Sequence, residues 1–412
     1  MEGYNKKVIM SYWTICRMKT TKKIYVKVSI IFLLGGILLF SSCEKEENQK
    51  IEANRKTLFM YLPWSSNLTN YFYNNISDLE KCITKIGLNN EKVIVFISTG
   101  STEAMMFEIV SSHGRCKREI LKKYKSPPFT TINGITAILN DVKAFAPASV
   151  YTMIIGCHGM GWLPVYEMKV RSAPHMKMHW EYQGVPLTRY FGGLTAEYQT
   201  DIKSLASGIA NAGMKMEYIL FDDCYMSSIE VAYELKDVTK YLIGSTSEMM
   251  AYGMPYATVG EFLLGNPDYG SLCEGFHDFY STYEMMPCGT LAVTDCSELD
   301  NMAAIMKSIN DRYVFDDSLQ GELQGLDGYT PVIFYDFADY VLTLCSDPIL
   351  TARFREQLER LVPYKTHTGK FYSRARGPLP IHTFSGITIS DPSTNPMALL
   401  KGTTSWYKAT HE

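Results

Sequence analysis

Six short, continuously apolar runs recur along the chain: residues 57–62 (TLFMYL), 92–98 (KVIVFIS), 150–155 (VYTMII), 217–221 (EYILF), 241–245 (YLIGS) and 290–294 (TLAVT). Their length and β-branched content predict strands. Between them the apolar positions fall at helical spacing. Residues 67–87 place Leu68, Phe72, Ile76, Leu79 and Ile83 on one side, with Gly87 as the stop. Residues 131–146 turn Ile132, Ile135, Ile138, Leu139 and Val142 inward. Further helices are expected over 195–213, 226–236, 299–313, 332–344 and 348–361. Residues 103–110 and 115–124 read as a hairpin, and 371–389 as strand and loop. Unbroken apolar strands alternating with helices predict an α/β fold with a mainly parallel central sheet covered on both faces. The main domain is expected over 57–300, with a smaller C-terminal helical and strand subdomain over 301–412 packed on it.

The N-terminus departs from this pattern. Residues 17–28 (RMKTTKKIYVKV) are strongly basic, and residues 29–40 (SIIFLLGGILLF) form an apolar run that stops short of the roughly 20 residues a spanning helix needs. A basic stretch, a short apolar stretch and small residues are the layout of an export signal over 1–43. Met18 gives such a signal its usual length. Leu39-Phe40-Ser41-Ser42-Cys43 resembles the lipobox of bacterial lipoproteins, which implies lipidation of Cys43 and attachment to a membrane of the cell envelope. The acidic cluster 44–47 resembles a surface-export signal, or is the start of a solvated tether running to residue 56.

Composition removes other classes. The 40 basic and 43 acidic residues leave a net charge of −3, without the basic excess of a nucleic-acid binder. The ten cysteines include no C-x-x-C pair and give no zinc spacing, although one or two disulfides are compatible with export.

Two reactive side chains fall just after strand ends. His158 follows the run 150–155 and is flanked by Gly156, Gly159 and Gly161; Cys224 follows the run 217–221 and precedes a predicted helix. The carboxyl ends of parallel strands are where open α/β sheets place their sites. A thiol near a helix N-terminus gains thiolate character, whereas Asp222 and Asp223 oppose it, so a cationic partner such as His158 is needed. Glycine-rich backbone beside the histidine offers N–H groups for an oxyanion. Taken singly, Cys224 could be an inert buried thiol and His158 an ordinary loop residue.

The run 154–162 (IIGCHGMGW) resembles the H-G-x-G-W segment of clostripain-like cysteine peptidases. The run 221–233 (FDDCYMSSIEVAY) resembles their D-x-C-x-M…E-x-A-Y segment, and 245–256 their S-x-E…G-x-x-Y segment. The resemblance spans roughly 57–300, with an echo at 385–389. It implies a caspase- and gingipain-like three-layer sandwich and cleavage of a protein or peptide after Arg or Lys. It further implies Cys224 as nucleophile, His158 as acid–base partner, and the backbone N–H groups of Gly159 and Cys224 as the oxyanion hole. Asp222 then lies in the pocket for the basic side chain; the alternative is an N-cap for the next helix. Asp223 stands where the family has a small residue, and Ser65-Ser66-Asn67 replaces an acidic pattern. Some relatives self-cleave between the two reactive residues, where this chain has Lys169, Arg171, Lys177 and Arg189, and some use calcium. No calcium loop is readable by spacing, so no cofactor is required by the sequence and calcium stays open. Two other functions compete: a surface lipoprotein that binds protein or glycan through a retired peptidase fold, and a same-fold peptidase with a non-basic preference.

Overall fold

The computed structural model describes residues 54–65, 67–165 and 198–412. The expected export signal, Cys43 and the basic residues at 169, 171, 177 and 189 lie outside the described residues.

In chain order, β1 (Asn54–Leu62), α1 (Thr69–Ile86) and β2 (Glu91–Ser98) lead into the hairpin β3 (Glu103–Ser112) and β4 (Arg115–Lys125). Then come α2 (Ile132–Phe145), β5 (Ala148–Ile155), α3 (Ile202–Asn211), β6 (Met216–Phe221), α4 (Ile229–Leu235) and β7 (Thr239–Gly244). After α5 (Tyr256–Val259) and α6 (Tyr269–Ser281) stand β8 (Thr290–Asp295) and α7 (Leu299–Asn310). The chain continues through β9 (Tyr335–Asp336), α8 (Phe337–Leu344), α9 (Pro348–Leu361) and β10 (Tyr364–His367). It ends with β11 (Lys370–Ser373), β12 (Gly377–Pro380), β13 (Thr388–Ile389) and α10 (Ser405–His411).

The described strands build one nine-stranded sheet in the order β10-β8-β7-β6-β5-β1-β2-β3-β4. Its centre, from β7 to β2, is parallel; antiparallel strands extend both edges. The central strands are buried on both faces, which is why they read as unbroken apolar runs. At the far edge β4 carries Arg115, Lys117, Arg118, Lys122, Lys123 and Lys125, charges that discourage another strand from pairing there. One helical layer joins α1 with α5 and α6; the other joins α2, α3, α4, α7, α9 and α10. The α/β architecture with a mainly parallel central sheet, expected from the pattern, is the one observed, and the segment after residue 300 adds β10 to the main sheet.

Several element bounds move for local reasons. β1 begins at Asn54, inside the expected tether. The helix expected from 226 begins at Ile229, capped by the Ser228 hydroxyl on Val231 N–H. The helix expected from 195 has its N-cap at Asp201, whose carboxylate accepts from Ser204 N–H. The helix expected from 332 begins at Phe337, because Tyr335–Asp336 pairs with β13 and the Asp336 carboxylate caps α8 by accepting from Asp339 N–H. Helix α6 was not expected from the sequence: Gly270 and Gly275 weaken its signal. Gly275 sits against α5, where an added Cβ would lie 3.0 Å from Val259 Cγ1.

The eight cysteines among the described residues form no disulfide. Burial pushes the Cys273 and Cys296 thiols up to about 12 and those of Cys82 and Cys288 to about 11, which keeps these four unreactive. Also among the described residues, no helix is long and apolar enough to cross a membrane.

Candidate active site

Strand register brings the two reactive residues together. β5 and β6 are parallel neighbours with Ile155 paired to Phe221. His158 and Cys224 lie at the same offset beyond that pair, so both emerge at one carboxyl edge of the sheet, on strands about 4.8 Å apart. Asp222 N–H continues the ladder to the Ile155 carbonyl at 2.8 Å.

Beyond the ladder the two loops stay in contact. A Cβ added at Gly159 would lie 2.1 Å from the Cys224 carbonyl oxygen and 2.9 Å from its nitrogen. Only glycine allows that approach, and it sets the two backbones proposed for the oxyanion hole against each other. Asp223 adds a polar clamp: its carboxylate accepts from Cys157 N–H at 2.6 Å and from the Cys157 thiol at 3.4 Å. The sequence left Asp223 as an opponent of the thiolate; the fold commits its carboxylate to the histidine loop. Aromatic packing supports the turn from below. Tyr225, at φ 61°, stacks on Phe334 with ring centroids 5.0 Å apart. Gly161, at φ 59°, would strike that Phe334 ring at 2.8 Å if it carried a Cβ.

Cys224 is fully buried, and its sulfur accepts from Met249 N–H at 3.1 Å. That N–H points from the loop after β7 and favours a thiolate. The helix-dipole contribution expected from the sequence is corrected by the late start of α4: Cys224 lies outside the first turn, where the effect fades. Asp222 is buried too, accepting from Met254 N–H at 2.9 Å and Tyr256 hydroxyl at 3.0 Å. It is not the cap of α4, which is Ser228.

His158 is buried, and its Nε2 lies 2.9 Å from Asn67 Oδ1, in the loop between β1 and α1. Asn67 is a site residue that spacing did not reveal as such; its only sequence signal was the departure from an acidic pattern there. Among the described residues no group of three or more His, Cys, Asp or Glu could hold a metal ion. No chemical step is routed through a metal.

Comparison with known proteins agrees with this fold. The clostripain family profile matches residues 60–344. A secreted C11 cysteine protease from Bacteroides thetaiotaomicron, "iotapain", is 60% identical over 87% of this chain and 99% of its own, with a TM-score of 0.81. A clostripain from the same species, solved with the peptide inhibitor BTN-VLTK-AOMK, is 68% identical over 54% of this chain and 99% of its own, with a TM-score of 0.53. An inactive zymogen C11 protease from Parabacteroides distasonis is 26% identical over 87% of this chain and 98% of its own, with a TM-score of 0.72. Among curated proteins, none matches. Fold, sheet-edge thiol and relatives together define a cysteine peptidase of the caspase-like class. Within that class, the chain belongs to the clostripain family.

Proposed function

We propose that this cysteine peptidase is an exported, lipid-anchored endopeptidase that cleaves protein or peptide chains after Lys or Arg through a Cys224–His158 dyad. The observation that carries the dyad is the shared register of the two residues beyond the Ile155–Phe221 pair, with Gly159 seated on the Cys224 backbone.

The chemistry grows out of that placement. The Cys224 thiolate attacks the scissile carbonyl carbon, and the N–H groups of Gly159 and Cys224 stabilise the oxyanion that forms. Collapse breaks the C–N bond; imidazolium His158 protonates the departing amine, leaving an acyl thioester. Water then attacks the thioester while His158 takes its proton, the C–S bond breaks, and the acid and thiol are released.

Asp222 supplies the basic preference. Its carboxylate is held from two sides by Met254 N–H and the Tyr256 hydroxyl, a rigid anion suited to an ammonium or a guanidinium. The Lys of the VLTK inhibitor bound to the 68%-identical relative supports this choice. Asp222→Asn is expected to lower kcat/KM for Lys and Arg reporters about 100-fold, the loss of a charge-assisted contact, while Ala reporters change little. Equal losses on all reporters would remove the pocket role.

The full burial of the thiol supports activation by an opening step, and self-cleavage at Lys169, Arg171, Lys177 or Arg189 is the proposed route. Full activity of uncut protein would count against it. Lipid attachment rests on the lipobox-like run ending at Cys43, and the secreted description of the 60%-identical relative supports export. Cell fractionation tests the anchor: envelope-bound protein that Cys43→Ala turns soluble sustains it, and soluble wild type refutes it. A panel of Arg, Lys, Asp, Asn and Ala reporters, with and without calcium, tests the activity. Cleavage confined to Asp, Asn or Ala would keep the peptidase and displace the basic preference.

A further inference from the structure

We infer that Asn67 is a positioning residue for the imidazole: it holds His158 with a hydrogen on Nε2, so that Nδ1 exchanges the proton with Cys224. This rests on the Cys–His dyad proposed for the chain and deepens it by assigning the tautomer and what fixes it.

Sheet order supplies the frame. β5 lies between β6 and β1, so the loop bearing His158 has the Cys224 loop on one side and the loop leaving β1 on the other. Asn67 belongs to that second loop, and its Oδ1 stands 2.9 Å from His158 Nε2. An amide oxygen only accepts, so the Nε2 atom facing it carries a hydrogen in both the neutral ring and the imidazolium. In the neutral ring the lone pair is then on Nδ1, the nitrogen left to take the thiol proton.

The backbone at Asn67 is fixed by its own surroundings. Asn67 N–H donates to the Ser65 carbonyl at 2.7 Å, and the buried Ser65 hydroxyl donates to the Pro63 carbonyl at 2.8 Å. Leu68 on the other side is fully buried, and its carbonyl accepts from Phe72 N–H at 3.0 Å as α1 begins. Asn67 itself is exposed, so replacing it removes no core packing.

An amide differs from a carboxylate here. A carboxylate beside the ring would hold the imidazolium charge to higher pH; an amide orients the ring and leaves its pKa lower. Among the described residues, titratable groups at this edge include Tyr61 at the end of β1, Cys157 in the histidine loop, Asp222, Asp223, Cys224 and Tyr225 beyond β6, and Glu248 and Tyr256 after β7.

The test compares wild type, Asn67→Leu, Asn67→Asp and His158→Ala on a Lys reporter, recording kcat and KM from pH 5 to 10. Asn67→Leu keeps the side-chain shape without the acceptor. It is expected to lose about 10–100-fold in kcat with KM nearly unchanged, the usual cost of removing a group that orients a reactive one. Its alkaline limb moves to lower pH. Asn67→Asp restores the acceptor, so kcat returns to within tenfold of wild type and the alkaline limb moves up by about one pH unit. Wild-type kcat and limbs in Asn67→Leu, or identical limbs in the Leu and Asp variants, overturn the assignment. His158→Ala separates the two levels. If it stays active, the dyad itself falls; if it is inactive while the residue-67 variants behave as wild type, only the role of Asn67 falls.

Discussion

Replacing Cys224 with Ala is expected to abolish peptide hydrolysis, with kcat/KM falling about 10⁴-fold or more, while the protein stays folded. Removing a nucleophile that acts with its base as one unit leaves only the residual contribution of binding and the oxyanion hole. The structural cost is small. The substitution removes one sulfur atom from a buried site and deprives Met249 N–H of an acceptor, a loss of about 1 kcal/mol. A thermal unfolding curve recorded beside the assay separates the effects: wild-type stability with no turnover is the predicted pair. Turnover that persists in Cys224→Ala would place the nucleophile elsewhere. The highly buried thiols of Cys273 and Cys296, pushed up to about 12, are poor substitutes.

The second large effect is expected at Gly159. A Cβ there meets two backbone atoms of Cys224, at 2.1 Å and 2.9 Å, and the Asp223 Cβ at 3.0 Å. Backbone cannot rotate aside as a side chain can, so Gly159→Ala must push the two loops apart. That displacement moves the nucleophile, the imidazole and both proposed oxyanion donors relative to one another. A misplacement of this order costs about 100-fold or more in kcat. Overpacking of this kind destabilises by about 1–3 kcal/mol, so a fall in Tm accompanies the loss of rate. Gly159→Ala with wild-type kcat would mean that the loops do not need this contact. Gly87 is the contrast: its surroundings are open, so a substitution there strains only its own positive φ and leaves the chemistry alone.

Much of this architecture was legible because buried parallel strands have a plain signature. All six apolar runs proved to be strands, and the two reactive residues could be placed just beyond two of them because strand ends are local features. Glycine content beside His158 pointed to free backbone N–H groups for an oxyanion; that Gly159 also seats the loop on the Cys224 backbone was not read from it. What the pattern missed depends on residues far apart in sequence. Asn67 lies 91 positions from His158, and nothing local to either marks their contact. Asp223 looked like an obstacle to the thiolate because its partner, Cys157, sits on another loop 66 positions away. Helix α6 went unread because its two glycines depress helical propensity, whereas Gly275 is there for close packing on α5. The late start of α4 turned on the Ser228 cap, a boundary choice that apolar periodicity does not resolve.

The most direct test of the Cys224–His158 account is covalent labelling with a peptide of the VLTK-AOMK kind, the inhibitor class seen with the 68%-identical relative. Wild-type protein and His158→Ala are incubated with the probe, digested, and mapped by mass spectrometry. The account predicts one adduct, on Cys224, formed rapidly in wild type and slowly or not at all in His158→Ala. An adduct on another cysteine, or equal labelling of Cys224 in both proteins, would contradict it.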